Sequence, residues 1–451
     1  MRPTGAKPQV SPARRAAFDI LRRVEAEGAY SSPLVAALSE SNLSREDRAL
    51  AQEITLGVLR WQKSLDYFIE LYSHRKTASL DLPVLISLRI GLYQLRHLTR
   101  VPASAAVNES VNLVKASRAR SAHGFVNAVL RNSARHADDK AGERVADEKE
   151  RVSVELSHPR WMIERWAARL GEAEARELAA ANNRHPPTAF RVNTLKATEA
   201  DALRLLANRG VTHARSAYVP GAFVVEGGSA SEVQQAAADG LIYLQDEASQ
   251  LVSQLLDAKG GDRVLDLCAA PGSKSSHLAA LTDNGALVVA CDIHPHRLAQ
   301  LAVTCNRLGA HSVAPLVLDA TAELPFVAET RRFDRVLIDA PCSGTGTLSR
   351  NPEIKWRLAP DDPSRLAELQ LSILNRGAGV IDKGGRLVYS TCSVEAEENE
   401  GVITRFIEGG APFRILKPDA HPSLITDEGF VRTFPHRHGT DGFFAAVLER
   451  L

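Results

Sequence analysis

Short apolar runs alternate with segments of helical spacing from about residue 240 onward. Strands that alternate with helices are joined by right-handed crossovers, and they form a parallel sheet with helices on both faces. We therefore predict a doubly wound α/β domain over residues 241–451. The predicted strands are Arg263–Leu267, Leu287–Cys291, Ala314–Leu318, Val336–Ile338 and Arg386–Ser390, and the predicted helices between them include Ser275–Leu281 and His296–Leu308.

Small and acidic residues follow these strands where each one ends. The loop Cys268–Lys274 follows the first strand, and Asp292, Asp319 and Asp339 follow the next three. Ligands of such sheets bind outside the carboxyl ends of the strands, and an acid 20 positions after Gly272 is well placed to bind ribose hydroxyls. Because the loop lacks the GxGxxG and GxxxxGK[ST] motifs, the pattern favours a nucleoside without phosphates, such as S-adenosylmethionine.

Two thiols lie at the same predicted edge, because Cys342 follows Asp339 and Cys392 follows the Arg386–Ser390 strand. A thiolate that attacks carbon 6 of cytosine makes carbon 5 nucleophilic enough to accept a methyl group. Asp339 is placed to hydrogen-bond the base and to favour its protonation at N3. The residues alone do not rank the two thiols. The other cysteines are predicted to be small buried hydrophobic residues: Cys268, Cys291 and Cys305.

The first 140 residues have the pattern of an all-helical bundle. Apolar residues recur at helical spacing, and Ser11 followed by Pro12 has the pattern of a helix start. Residues 1–136 contain 20 Lys and Arg against 11 Asp and Glu, whereas the rest contains 35 against 43. This asymmetry favours a polyanion as the partner of the bundle, and the alternative is an Arg-rich solvated surface.

The middle of the chain is mixed. Residues 137–152 are predicted to form a linker or a solvated helix, and residues 153–240 a small α+β segment. Its predicted strands are Phe190–Leu195 and Tyr218–Glu226, and its helix Glu199–Asn208 is capped by Thr198. Arg191 and Asn193 alternate to one face of the first strand, where they could contact RNA phosphates or bases. Surface salt bridging is the alternative.

Several classes of protein are disfavoured. The chain has no apolar run of 18 residues and no apolar segment near its N-terminus, so neither a membrane span nor a secretory signal is expected. It has five cysteines without a CxxC motif or zinc-ligand spacing, which indicates reduced thiols and no structural metal. We therefore expect a cytoplasmic protein.

Four motifs resemble those of the RNA cytosine-5 methyltransferase family, which includes the Sun-type proteins. They are CAAPGSK at 268–274, DAPCSGTG at 339–346, STCSVEAEENE at 390–400 and DGFFAA at 441–446. The segment with RVNTLK at 191–196 resembles the RNA-binding extension of that family. The front of the chain resembles a NusB-like RNA-binding domain, with DRAL at 47–50, GVLRW at 57–61 and FVNAVLR at 125–131. The combination is similar to the bacterial 16S rRNA branch, RsmB or Sun.

The resemblance implies an architecture and a reaction. The architecture is a NusB-like bundle at 1–140, a small α+β RNA-binding extension at 153–240 and a Rossmann-like, S-adenosylmethionine-dependent methyltransferase domain at 241–451. The reaction is methyl transfer to carbon 5 of a specific cytosine in 16S rRNA, through a covalent adduct with a cysteine. Cys392 is implied to be the nucleophile and Cys342 to assist release of the methylated RNA. Asp339 is the third predicted catalytic residue, because of its placement to hydrogen-bond the base. The implied cofactor-binding residues are Cys268, Ala269, Ala270, Pro271, Gly272, Ser273, Lys274, Asp292, Asp319 and Asp339.

The resemblance has one departure, because Ser273 stands where the family usually has glycine. Serine would strain the cofactor loop if that position required positive φ. Past the Gly-rich loop, Arg350, Lys355 and Arg357 are predicted to hold RNA phosphates, with an ordinary exposed basic stretch as the alternative. The acids of STCSVEAEENE suit the first turn of the helix that follows Cys392, where the helix dipole favours them: Glu395, Glu397 and Glu398.

Two other functions compete with this prediction. The same chemistry could act on tRNA, 23S rRNA or DNA. Alternatively, the NusB-like bundle could make the chain an RNA-binding or antitermination factor with a vestigial methyltransferase body, although retention of both thiols and of the strand-end acids speaks against decay. A target base must leave its stack to reach a thiol, so an RNA loop is the favoured substrate. We expect a monomer.

Overall fold

The computed structural model describes residues 10–326 and 332–451. The chain forms two compact units. The first ends at His185 and also includes Leu348–Leu358, and the second begins at Pro186 and includes the rest of the described chain. The predicted domain boundaries near 140 and 240 fall within these units and stay predictions. No helix among the described residues is long and apolar enough to cross a membrane.

The first unit is helical, as predicted. Phe18, Leu21 and Val24 share one face of the first helix and are buried in a core of Leu, Ile and Val side chains. Ser11 occupies the N-cap position of that helix, but its side chain accepts no capping hydrogen bond from the helix backbone. The helices up to residue 182 are α1 (Pro12–Glu27), α2 (Ser31–Ala36), α3 (Arg45–Arg60), α4 (Gln62–Ser73), α5 (Leu82–His97), α6 (Ala103–Lys115), α7 (His123–Arg135), α8 (Glu148–Glu155), α9 (Arg160–Leu170) and α10 (Glu172–Asn182).

The second unit contains the strands and most of the later helices. Its strands are β1 (Ala189–Val192), β2 (Thr212–Arg215), β3 (Ala222–Gly227), β4 (Ile242–Leu244), β5 (Arg263–Asp266), β6 (Leu287–Asp292), β7 (Val313–Val317), β8 (Phe333–Asp339), β9 (Ile381–Thr391), β10 (Phe413–Ile415), β11 (Val431–Arg432) and β12 (Phe444–Arg450). The later helices are α11 (Glu199–Asn208), α12 (Ala230–Ala238), α13 (Glu247–Leu255), α14 (Ser273–Leu281), α15 (Pro295–Leu308), α16 (Ile354–Arg357, in the first unit), α17 (Asp362–Gly379), α18 (Glu400–Glu408) and α19 (Pro435–His438).

The larger sheet has the order β10-β12-β9-β8-β5-β6-β7, and β11 pairs with β12. Strands β5 to β9 pair in parallel, which confirms the predicted doubly wound arrangement. The chain moves outward from β5 through β6 to β7, and then crosses to the other side of β5 for β8. The crevice at such a reversal is where ligands of these sheets bind. Consecutive residues of a strand, such as Val264 and Leu265, pack into different hydrophobic cores, as expected where both faces of the sheet are covered.

Two parts of this unit were not predicted. The antiparallel strands β10, β11 and β12 extend the sheet beyond β9, and the rule of strand and helix alternation does not find them because helices do not separate them all. The small sheet has the order β2-β3-β1-β4, whereas only β1 and β3 were predicted. The helix Glu199–Asn208 is confirmed, and Thr198 accepts a hydrogen bond from the backbone N–H of Asp201 as its cap.

The segment Leu348–Leu358 belongs to the helical unit although it follows the Gly-rich loop in sequence. Lys355 is 0% exposed, and its Nζ donates to the carbonyl oxygens of Arg60 at 2.7 Å and Ser157 at 2.8 Å and to Oδ1 of Asn183 at 3.2 Å. The indole N–H of Trp356 donates to the carbonyl of Leu59 at 2.6 Å. Lys355 therefore has a structural role in this fold, in place of the predicted contact with an RNA phosphate.

We expect Lys355→Met to lower the free energy of unfolding of the first unit by about 3 kcal/mol, because the substitution leaves buried acceptors without a donor. All four tryptophans of the chain, at 61, 161, 166 and 356, belong to this unit, so tryptophan fluorescence in a denaturant titration reports its unfolding. Lys149→Met is the matched control, since the Lys149 side chain is 64% exposed. Equal unfolding midpoints for the two variants would contradict the structural role of Lys355.

Candidate active site

A cleft of about 440 Å³ lies at the carboxyl ends of the parallel strands in the second unit. It brings together both predicted thiols, Cys342 and Cys392, with the predicted acids Asp292, Asp319 and Asp339. These residues meet because the strands that precede them are neighbours in the sheet. The other lining residues are Leu267, Cys268, Ala270, Ile293, His294, Arg297, Leu318, Ala320, Thr321, Ala340, Pro341, Leu369 and Ile373.

The two thiols form a close pair, with 3.3 Å between the Sγ atoms of Cys342 and Cys392. Strands β8 and β9 pair in parallel with Asp339 opposite Ser390. The two cysteines therefore lie near the same level at the carboxyl ends of neighbouring strands. The hydrogen bond to Cys392 and burial raise the pKa of the Cys342 thiol well above its ordinary value. Cys342 is therefore a neutral thiol at physiological pH, a state suited to moving a proton.

An ion pair between a buried lysine and a partly buried aspartate lies beside the thiols. Lys274 Nζ donates to Oδ2 of Asp339 at 2.6 Å, and Ser390 Oγ donates to Oδ1 of the same carboxylate at 2.8 Å. Burial alone would lower the pKa of the Lys274 amine, but the attraction of Asp339 outweighs it, with a smaller contribution from Cys392, and that pKa is raised. Lys274 is thus a fixed positive charge next to the predicted nucleophile and the predicted base-binding acid.

The loop between β5 and α14 needs a glycine at one position. Gly272 has φ of +99°, and a Cβ there would lie 2.8 Å from Cγ of Leu301. Ser273 is the first residue of α14, so the strain considered for this serine does not arise. Cys268 and Ala270 line the cleft, whereas the remaining loop residues are not among its lining: Ala269, Pro271, Gly272, Ser273 and Lys274.

The two outer acids are held by short local contacts. Asp292 Oδ1 accepts from the backbone N–H of His294 at 2.9 Å, and Asp319 Oδ1 accepts from the backbone N–H and the hydroxyl of Thr321 at 2.9 and 2.6 Å. The hydrogen bonds from Thr321 lower the pKa of Asp319, so this acid is ionised at neutral pH. Ile293 is 52% exposed in the cleft wall. Acceptors beside an apolar wall suit the hydroxyls and the flat ring of a nucleoside.

The comparisons with known proteins agree with this geometry. The family described as 16S rRNA methyltransferase RsmB/F matches residues 253–449, the NusB family matches 11–135, and the RsmF/B-like ferredoxin-like domain matches 158–232. The probable ribosomal RNA small subunit methyltransferase B of Bacillus subtilis (strain 168) is 34% identical, over 97% of this chain and 98% of the relative. The chain belongs to the RsmB/F family of 16S rRNA methyltransferases.

Other relatives of this RsmB/F chain support the same assignment. The ribosomal RNA small subunit methyltransferase B of Pseudomonas putida is 32% identical, over 98% of this chain and 99% of the relative. The crystal structure of a protein called PH0851 is 30% identical, covers 99% of this chain and 100% of its own, and has a TM-score of 0.83. The family resemblance and the predicted fold, a NusB-type helical domain, a small domain and a Rossmann-like methyltransferase domain, are thus confirmed. The protein is an S-adenosylmethionine-dependent RNA methyltransferase.

Two residues predicted to bind RNA through the family's extension are buried. Arg191 is 2% exposed, and it donates to Gln245 Oε1 at 3.1 Å and to Ser276 Oγ at 3.0 Å. Asn193 is 1% exposed, and its Nδ2 donates to the carbonyls of Gly240 and Leu308. Both fasten the small sheet to its surroundings within the second unit, so we assign them structural roles. Periodicity found the strand but not its burial on both sides.

The other predicted RNA contacts lie in the first unit. Arg350 is half-buried, and its contact with RNA stays a prediction. Arg357 donates to the carbonyl of Ala29 and lies over the ring of Tyr30, 4.7 Å from its centroid.

No group of three or more His, Cys, Asp or Glu side chains that could hold a metal ion occurs within residues 10–326 and 332–451.

Two of the remaining cysteines, Cys291 and Cys305, have the buried environment predicted for small hydrophobic residues, whereas Cys268 is only partly buried. Cys291 and Cys305 are buried, and burial raises the pKa of Cys291 to about 12 and that of Cys305 to about 11. Burial also raises the pKa of Cys268, which lines the cleft, well above its ordinary value. These thiols stay protonated at neutral pH, so none of the three has the thiolate character that a nucleophile needs.

The prediction for the acids after Cys392 was wrong. Helix α18 begins at Glu400, so Glu395, Glu397 and Glu398 precede it and do not form its first turn. The residues from Ala396 to Asn399 form a turn instead, which directs the Glu398 side chain inward. Local rules do not indicate this, because two of the partners of Glu398, Ser343 and Gln370, are distant in the chain.

Proposed function

We propose that this protein transfers a methyl group from S-adenosylmethionine to carbon 5 of a cytosine in 16S rRNA, through a covalent adduct with Cys392. The observation that carries the proposal is the pair of thiols, with 3.3 Å between their Sγ atoms, in one cleft with three strand-end acids. Direct methylation of an oxygen or an exocyclic nitrogen needs no thiol. A ring carbon of a pyrimidine needs activation, and a thiol nucleophile supplies it.

The cofactor is proposed to lie along the outer part of the cleft. Asp292 and Asp319 would bind its ribose and adenine ends, with Ile293 against the adenine ring and the loop Cys268–Lys274 around the amino-acid end. The local hydrogen bonds from His294 and Thr321 hold the two acids in place before any ligand arrives, which reduces the entropy lost on binding. When bound, S-adenosylmethionine supplies an electrophilic methyl group.

Cys392 is proposed to attack carbon 6 of the target cytosine. The bond from Sγ to carbon 6 turns the ring into an enamine, and N3 takes up a proton in place of the one that the Cys392 thiol gives up. Asp339 is the side chain proposed to hold the N3 edge, and Lys274 fixes the orientation of Asp339 through the 2.6 Å contact. The buried ammonium of Lys274 also stabilises negative charge on the attacking sulfur, since charges interact more strongly where water is excluded.

Cys342 is proposed to act after methyl transfer. Carbon 5 then carries both its hydrogen and the new methyl group. Cys342 takes up that hydrogen as a proton while it gives its own proton to the departing Cys392 sulfur, which restores the double bond between carbons 5 and 6, and N3 gives up its proton to solvent. The raised pKa of Cys342 keeps this neighbour protonated in the resting site, so it can move protons near the departing thiolate without competing as a nucleophile.

The proposed substrate is a loop of 16S rRNA. Two full-length relatives carry names that assign them to small-subunit ribosomal RNA, and the NusB-type unit includes the basic residues 1–136. A base in a loop is already partly unstacked, which lowers the cost of moving it into the cleft. We propose that the protein acts on this loop as a monomer.

The proposal is tested with methyl-labelled S-adenosylmethionine and unmodified 16S rRNA, 23S rRNA and tRNA in parallel. We expect label only in 16S rRNA, recovered as 5-methylcytidine after digestion to nucleosides, and a single protected cytosine in bisulfite sequencing. Label in tRNA alone or in 23S rRNA alone would identify that RNA as the substrate instead. Intact RNA binding without label in any RNA would favour an RNA-binding factor.

A further inference from the structure

A buried carboxylate lies behind the two thiol loops. Glu398 is 0% exposed, and both of its oxygens accept hydrogen bonds. Oε1 accepts from the backbone N–H of Ser343 at 2.8 Å and from Nε2 of Gln370 at 3.0 Å. Oε2 accepts from Oγ of Ser393 at 2.5 Å and from the hydroxyl of Ser343.

The partners of Glu398 connect it to both thiols. Ser343 follows Cys342 and Ser393 follows Cys392, so one carboxylate binds the next residue of each thiol loop. The two hydroxyls also contact each other, with 3.0 Å between Oγ of Ser343 and Oγ of Ser393. The two loops are therefore fastened to a common group as well as to each other.

The carboxylate is itself held in place. The hydroxyl of Tyr389 donates to the backbone carbonyl of Glu398 at 2.6 Å and lies 3.1 Å from Oε1 of Gln370. Asn399, the next residue, donates from Nδ2 to the carbonyl of Ser393 at 2.9 Å, and its Oδ1 accepts from Oγ1 of Thr391. A group that is anchored from several elements can determine the position of the loops that it binds.

Burial of a carboxylate is expensive unless donors surround it, and an apolar side chain in its place is often as stable. Burial raises the pKa of Glu398 despite its hydrogen bonds. Glu398 is not among the side chains that line the cleft, so it does not contact a bound base. Its hydrogen-bond partners indicate a geometric role, in holding the two thiol loops, that offsets the energetic cost of burying the carboxylate.

We infer that Glu398 is a positioning residue that holds Cys342 and Cys392 at the separation that the reaction needs. The inference rests on the proposed function for its catalytic consequence, but the separation itself can be measured without any methyl transfer. Glutamine is the informative substitution. Its Oε1 can accept from the Ser343 N–H and from Gln370, and its amide can donate to the two serine hydroxyls, which accept equally well.

The first measurement is disulfide formation between the two thiols with diamide, which takes up the two hydrogens as the Sγ–Sγ bond forms. Peptide mapping identifies the bridged cysteines. We expect fast bridging in the wild type and in Glu398→Gln, and at least about 10-fold slower bridging in Glu398→Ala, because effective molarity falls steeply when two groups lose their alignment. Failure of the wild type to bridge Cys342 to Cys392, or equal rates in all three proteins, would overturn the inference.

The second measurement is methyl transfer under saturating RNA and cofactor. We expect kcat to fall about 10²-fold in Glu398→Ala, as for a misplacement of about 1 Å, with KM for S-adenosylmethionine unchanged and with recovery to within about threefold of wild type in Glu398→Gln. Loss of activity in Glu398→Gln with normal bridging would show a proton-transfer role instead and would overturn the inference. Glu408→Ala, at an exposed position in the same region, is the control.

Each readout separates this inference from the proposed function. Absence of methyl transfer in the wild type would remove the function, whereas the diamide rates would still report the thiol separation. If Glu398→Ala does not fold, as judged by its circular dichroism, Ser343→Ala and Ser393→Ala each remove one hydroxyl partner and keep the carboxylate. We expect slower bridging in both, and wild-type rates in both would contradict the positioning role.

Discussion

Cys392→Ala is expected to abolish methyl transfer, with a loss in kcat of at least about 10³-fold, because removal of a catalytic nucleophile leaves only the contribution of binding. No other thiol can replace it from the same direction. Cys342 lies 3.3 Å away from it by Sγ–Sγ distance, but burial, which also raises the pKa of the Cys342 thiol, persists in the variant. The measurement is transfer of labelled methyl groups to 16S rRNA in single-turnover conditions, which removes product release from the rate.

The matched control is Cys305→Ala, a substitution of a buried thiol that does not line the cleft. We expect it to keep wild-type activity. Binding of S-adenosylmethionine to Cys392→Ala, measured by calorimetry, is expected to be unchanged, since Cys392 is proposed to contact the base and not the cofactor. Residual activity above a tenth of the wild-type value would exclude Cys392 as the nucleophile.

Cys342→Ala is expected to trap the protein on its RNA. Without the second thiol, the methylated adduct loses the carbon-5 proton slowly, so the bond from Cys392 to carbon 6 persists. A denaturing gel should show a labelled protein–RNA band that is at least about 10-fold more abundant than with wild type, as expected when a general acid–base group is removed. The band should disappear in the double variant Cys342→Ala/Cys392→Ala.

The opposite pattern would exchange the two roles. If Cys392→Ala accumulates the adduct and Cys342→Ala does not, then the thiol after Pro341 is the nucleophile. Protease digestion of the adduct and mass spectrometry of the cross-linked peptide identify the cysteine directly. Absence of an adduct in both single variants, with activity lost in both, would show that the thiols are needed for something other than a covalent bond to the base.

The sequence predicted the cleft because the rule for parallel sheets is local. Asp292, Asp319 and Asp339 each follow a recognisable strand, and the carboxyl ends of parallel strands must meet. The same rule placed Cys342 and Cys392 at that edge. It could not rank them, since both thiols follow neighbouring parallel strands, and only the resemblance to the family made Cys392 the predicted nucleophile.

Prediction failed where a polar residue is held by partners far away in the chain. Lys355, Arg191 and Glu398 are charged residues of types that usually lie on a protein surface. Local rules therefore assigned them to phosphate contacts or to a helix start. In the structure each is buried, with partners that are remote in sequence. Periodicity reports which apolar residues enter a core, but it carries no information about a charged group that folding surrounds with hydrogen-bond partners.

The position of Leu348–Leu358 also limits how such a protein can be divided. A cut after His185 would yield a piece that begins at Pro186 and retains Lys355 and Trp356, whose acceptors stay behind on the other piece. The ammonium of Lys355 and the indole N–H of Trp356 would then need water or another chain as their hydrogen-bond acceptor. Recombination between genes at this point would meet the same penalty, so the helical front and the catalytic body of this protein are expected to be inherited together.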